Sequence, residues 1–190
     1  MRNKIWLAVL AVLIPALSVA QVDDARTGSA RYSPPSKTFT CDLPSGWSAF
    51  EEQDGFGGAV HFLGPDDRAS VYRAGLDIRY SEKGDAGYQP YKQALEEMKR
   101  ADGVTSRNST PVRLMRIAGV MVRIFEITET KRLPEDTWPA APVELHKYVA
   151  VYPSGESYFT LTLSSTRESY MDYRDLFVGF LKTFRPLGYK

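Results

Sequence analysis

The sequence predicts an α+β domain, an antiparallel β-sheet flanked by amphipathic helices. Three observations carry that prediction. Most of the chain reads as short segments with apolar residues at every second position, the period of a half-buried strand. Two separated stretches switch to apolar spacings of three and four, the period of a helix. Clusters of Pro, Gly and Ser punctuate the strand-like segments at intervals too short for helical crossovers, so neighbouring strands are expected to be antiparallel.

Lys37 to Leu43 alternates, Pro44-Ser45-Gly46 makes a turn with Pro suited to its first corner, and Trp47 opens a strand to about Glu52. The stretch Gly55-Phe56-Gly57-Gly58 turns the chain into Ala59 to Leu63. Val71 to Tyr80 has the clearest period of two, with Tyr72, Ala74, Leu76, Ile78 and Tyr80 on one face and Arg73, Asp77 and Arg79 on the other. From Pro90 to Ala101 the period changes: Tyr91, Ala94, Leu95 and Met98 share a helix face, and Asp102-Gly103 ends it. Val112 to Ile117 and Val120 to Thr128 flank Ala118-Gly119, a two-residue hairpin turn. Lys131 to Pro142 reads as a proline-rich loop carrying Trp138. Val143 to Tyr152 and Ser157 to Ser164 then form a hairpin around Pro153-Ser154-Gly155. The last element is a helix opened by a capping box of Ser165 and Glu168. Tyr170, Tyr173, Phe177, Phe180, Leu181 and Phe184 mark its apolar face until Pro186 and Gly188 stop it. Trp47, Leu76, Ile78, Leu161, Phe177, Phe180 and Phe184 are the expected core.

The start of the chain reads as an address. Arg2 and Lys4 precede an apolar run from Ile5 to Ile14, and Ser18-Val19-Ala20 offers small residues where a signal peptidase cuts. The run is half the length of a membrane span. Residues 1–20 are therefore expected to be a signal peptide, giving an extracytoplasmic mature chain, periplasmic or secreted, that begins at Gln21 and keeps no membrane anchor. Residues 21–36, QVDDARTGSARYSPPS, are expected to be a flexible linker, and residues 37–190 a single domain. Without the leader the chain carries 22 basic and 23 acidic residues, a balance that argues against nucleic acid or an anionic membrane as partner. Cys41 is the only cysteine, so no internal disulfide forms, and its alternation with Phe39 and Leu43 places it in the core.

The residues that usually carry chemistry do not cluster. His61 and His146 lie singly in strand-like segments, without the spacing of a metal site, and no motif calls for a cofactor. Ser45 and Ser154 sit in turns without the Gly-x-Ser-x-Gly elbow, and Cys41 has no flanking base. The acidic pairs Glu51-Glu52, Asp66-Asp67 and Glu96-Glu97 are read as turn and surface residues. No catalytic residue is assigned, and the protein is not expected to be an enzyme. What remains is a candidate partner-binding set. If Ala118-Gly119 is a tight turn, Arg116 faces Met121 and Leu114 faces Arg123, placing both arginines on one sheet face with Phe125. Like charges there would repel unless acidic neighbours on adjoining strands or a bound anion meet them. Trp138, between prolines in a polar loop, either folds back on the core or offers a rigid contact. Arg116, Arg123 and Trp138 together form the candidate surface.

The opening TFTCDLPSGWSAFEE and the closing SYMDYRDLFVGFLKTFRP resemble the PsbP-like family. Its members begin with a strand and a Pro-x-Gly-Trp turn and end in an aromatic helix with an SFRP-like tail, matched here by Lys182-Thr183-Phe184-Arg185-Pro186. The resemblance implies a PsbP-like αβα sandwich and a role as an extracytoplasmic binding or assembly protein rather than an enzyme. The chain departs from the family in having neither a chloroplast transit sequence nor the lipid anchor of some bacterial relatives. Three functional classes follow: a noncatalytic module binding an envelope protein partner, a carrier of a small apolar ligand held between sheet and helix, and an enzyme with an unrecognised site.

Overall fold

The structure is a computed structural model that describes residues 29–54, 57–65, 71–135 and 138–187. In chain order its elements are β1 (Ser29–Tyr32), β2 (Phe39–Pro44), β3 (Ser48–Asp54), β4 (Gly57–Leu63), β5 (Gly75–Ser81), α1 (Tyr91–Lys99), β6 (Asn108–Ser109), β7 (Arg113–Ile117), β8 (Val120–Leu133), β9 (Ala141–Ser154), β10 (Ser157–Thr166), α2 (Tyr170–Thr183) and β11 (Arg185–Pro186). An eight-stranded antiparallel sheet runs β3-β4-β5-β10-β9-β8-β6, with β7 also on β8, and a three-stranded sheet runs β1-β2-β11.

The period of two sorts the side chains of the large sheet. Tyr148, Ala150 and Tyr152 of β9 point to one face with Phe159, Leu161 and Leu163 of β10 and Leu76 and Ile78 of β5. There they meet Phe177, Phe180 and Leu181 of α2 and the small sheet's Phe39, Cys41 and Leu43. Val149 and Val151 point the other way, with Phe125, Ile127 and Tyr158, to Ala94 and Leu95 of α1. All seven residues expected in the core are buried, and Cys41 is fully so.

The turn after β2 shows why its residues matter. Gly46 has φ +78° and the Trp47 N–H donates to the Pro44 carbonyl at 3.2 Å, which hands the chain from the small sheet to the large one. Trp47 then lies edge-on to Tyr173, and its ring comes so near Gly64 that a Cβ there would sit 3.3 Å from it. At the other end, Phe184 packs against Phe39 and Phe159 while Arg185 and Pro186 pair with Thr40 and Phe39. The closing Phe-Arg-Pro thus pins the end of the chain to its beginning.

Several expectations are corrected. The linker expected over 21–36 is structured in its second half: residues 29–32 pair with β2 and Tyr32 is buried on Phe62. A strand next to an open edge gains a full ladder of backbone hydrogen bonds, which outweighs its polar composition. The signal peptide and residues 21–28 lie outside the described residues. Instead of one sheet there are two. The capping box of Ser165 and Glu168 does not form, because β10 continues through Thr166, pairing Ser165 with His146, and α2 starts only at Tyr170 without a side-chain cap. The loop expected over 131–142 is shorter, since Lys131, Arg132 and Leu133 extend β8 opposite Val143, Pro142 and Ala141. The strand expected from Val71 begins at Gly75.

Candidate functional site

The α2 face is covered along most of its length, but α1 is only 9 residues long and spans part of the opposite face. Beside it, between α1 and strands β4, β5 and β10, runs an open cleft of about 430 Å³. Its walls are mixed: His61, Asp77 and Arg79 from the sheet, Thr160 and Thr162 from β10, Gln89 and Glu97 from the helix side. Register creates the central cluster, because His61 is directly opposite both Phe50 and Asp77. His61 Nδ1 lies 2.6 Å from Asp77 Oδ1, its Nε2 lies 3.2 Å from Glu52 Oε2, and its ring stacks on Phe50 with centroids 4.9 Å apart. The Glu52 approach is an ion-pair distance without hydrogen-bond alignment, and Nε2 is shut off from solvent. Both nitrogens are thus walled in, by carboxylates at the sides and an aromatic ring above. Through these contacts one imidazole on β4 ties together Glu52 and Phe50 of β3 and Asp77 of β5. Among the described residues, no three His, Cys, Asp or Glu side chains are grouped to hold a metal ion.

The hairpin forms as its sequence predicts. Ala118 and Gly119 both take positive φ, +50° and +86°, and the register pairs Arg116 with Met121 and Leu114 with Arg123. The two arginines share a face, but neither meets an acid among the described residues. Arg123 lies over the Tyr91 ring, 4.8 Å from its centroid, and donates to the Tyr91 hydroxyl at 2.7 Å, tying the hairpin to α1 through a neutral group. Arg116 is exposed, with no ion-pair partner among the described residues. Between them lie Leu114, 60% exposed, and Met121, 41% exposed.

Trp138 is 85% exposed and does not fold back on the core. It follows the far end of β8, beyond Leu133, whereas Arg123 lies near the start of that strand and Arg116 of β7 pairs there with Met121. Ten residues of strand, about 30 Å, separate the two ends. The structure therefore splits the expected surface: Arg116 and Arg123 belong together with Leu114 and Met121, and Trp138 stands apart.

A second histidine cluster went unread in the sequence. His146 stacks on Tyr170 at 4.0 Å and its Nε2 lies 3.0 Å from Glu126, whose other oxygen accepts from Arg113 at 2.8 Å. Burial, aided by the Glu126 charge, pushes the neighbouring Tyr148 hydroxyl up to about 12. Because these residues converge from β7, β8, β9 and α2, no local spacing announces them. Next to α1, buried Glu129 is met by Lys147 at 2.6 Å. Burial likewise pushes the Cys41 thiol up to about 12, which keeps it protonated and unreactive.

No family model matches the sequence and no curated protein aligns with it. Solved structures do resemble the fold. Cyanobacterial PsbP (CyanoP) from Synechocystis is similar with a TM-score of 0.57 at 15% identity, covering 90% of this chain and 99% of that one. PA94 from Pseudomonas aeruginosa, a protein of unknown function, is similar with a TM-score of 0.53 at 13% identity, covering 85% and 99%. A Bacteroides thetaiotaomicron structure has a TM-score of 0.49 at 15% identity over 85% of this chain, which spans 50% of that chain's length. At such identities the likeness speaks for architecture alone: this chain has a PsbP-like α+β fold.

Proposed function

We propose that the protein is an exported, noncatalytic binding or assembly module of the PsbP-like family that acts through protein contacts, with the β7–β8 hairpin as its contact surface. The observation that carries this reading is the exposure of Leu114 and Met121 beside Arg116 on one face of a hairpin whose other face is packed in the core. Apolar side chains flanked by an uncompensated cation gain free energy when a partner removes them from water. The leader residues Arg2 to Ala20 support an extracytoplasmic location. The walled-in His61 and the protonated Cys41 support a role without catalysis. Site-directed photo-crosslinking tests the reading. A photoreactive residue at Met121 should yield a discrete crosslinked product in the native envelope, and one at Glu96 on the exposed side of α1 should not. Equal labelling at both positions would count against the hairpin.

A second reading rests on the cleft beside α1. Its volume suits a small molecule, and its walls combine the apolar Ala59, Ile78, Ala94 and Met98 with charged, amide and hydroxyl groups, which suits a ligand that has both an apolar body and polar groups. Native mass spectrometry of protein purified from the envelope checks it. A bound small molecule lost on Thr160→Leu would shift the assignment to the cleft.

A further inference from the structure

We infer that β7 is a strand-acceptor edge, onto which the partner adds an extended acidic segment of its own as a further strand of the large sheet. The inference rests on the protein-contact reading above and specifies its mode. The argument begins with the ladder. In a two-residue hairpin the residues flanking the turn, Ile117 and Val120, exchange both backbone hydrogen bonds, and pairs then alternate. Arg116 and Leu114 therefore stand in pairs that do not bond across to β8, so their N–H and C=O groups point away from the sheet. Neither appears among the backbone bonds made outside the strands. Their side chains, both exposed, offer the incoming strand an apolar contact and a cation.

Charge selects the partner. Arg113, Arg116 and Arg123 line this edge and its neighbour, and among the described residues only Arg113 is neutralised, by Glu126. The opposite edge of the same sheet, β3, carries Glu51 and Glu52, and the Glu51 carboxylate accepts from the Ser36 N–H at 3.1 Å. An acidic strand is repelled there and attracted at β7. Backbone bonding supplies the affinity in such strand addition, and side chains supply the choice of partner.

Fluorescence anisotropy with a labelled peptide alternating glutamate and valine tests the inference on the mature protein, with a lysine-valine peptide as control. The acidic peptide should bind and the basic one should not. Leu114→Pro removes an outward N–H without breaking the β7–β8 ladder, a substitution that edge strands tolerate, and should weaken binding about tenfold. Arg116→Glu should weaken it similarly, and N-methylation of the peptide on alternate residues should abolish it in one of the two registers. Unfolding midpoints of both variants should match the wild type. The inference is overturned if neither peptide binds, if both bind alike, or if Leu114→Pro leaves affinity unchanged while remaining folded. Should Met121 crosslinking in the envelope persist in Leu114→Pro, the hairpin remains a contact surface and only strand addition is lost.

Discussion

The two faces of the large sheet are made by the same strands, yet they are built to different ends. Toward α2, aromatic rings from β2, β4, β9, β10 and α2 fill the space, with Phe62 edge-on to Phe180 at 5.5 Å and Phe159 edge-on to Phe184 at 5.4 Å. Toward α1, a short helix covers part of the sheet, and apolar, charged and hydroxyl side chains together line what it leaves open. Alternation along a strand lets one residue serve stability and the next serve recognition with no compromise between them. Stability should therefore respond steeply to changes on the α2 face and weakly to changes at the hairpin.

The largest expected effect tests the dry face. Phe180→Ala empties a site with 3% exposure beneath Phe62 and should cost about 3 to 5 kcal/mol in denaturant unfolding. A loss near zero would mean that α2 is peripheral. Alkaline titration comes next. Cys41 is raised from 9.0 to about 12, and Tyr32 and Tyr148 from 10.0 to about 12, each chiefly by burial. The folded state thus holds these protons more tightly than the unfolded chain, so stability is flat below about pH 9 and falls as the pH rises toward 12. Cys41→Ala should shallow that fall in urea melts taken across the range.

On the other face, Leu95→Ala should cost about 2 kcal/mol, at the low end for a buried leucine, because the half-covered cluster around α1 relaxes and admits water. A loss as large as that of Phe180→Ala would erase the contrast between the faces. At the hairpin the sign reverses. Ala118 holds φ +50°, a conformation that disfavours a Cβ, and Asn-Gly is the favoured pair for this turn. Ala118→Asn should raise stability by about 0.5 to 1 kcal/mol. Trp138→Ala, at a fully displayed side chain, should change stability by less than about 0.5 kcal/mol.

Much of the molecule was legible in the chain itself. The period of two in Leu76 and Ile78, the helical stripe of Phe177, Phe180 and Leu181, and the positive-φ demand of Ala118-Gly119 are all set within a few residues by backbone sterics and by which side chains water excludes. The pairing of Leu114 with Arg123 follows from them by counting, and so does the burial of Cys41. What tertiary structure alone decided is the outcome of competition between distant segments. The polar stretch around Ala30 became a strand because β2 offered it an open edge. Ser165 joined β10 instead of capping α2 because His146 on β9 was there to pair with it. Trp138 and Arg116 stand at opposite ends of β8, one beyond its last residue and the other on β7 beside its first ones, because that strand runs on to Leu133, whose side chain is buried. Local conformation depends on energies that neighbours in sequence supply; edges, convergent clusters and surfaces depend on hydrogen bonds and burial that only the assembled sheet provides.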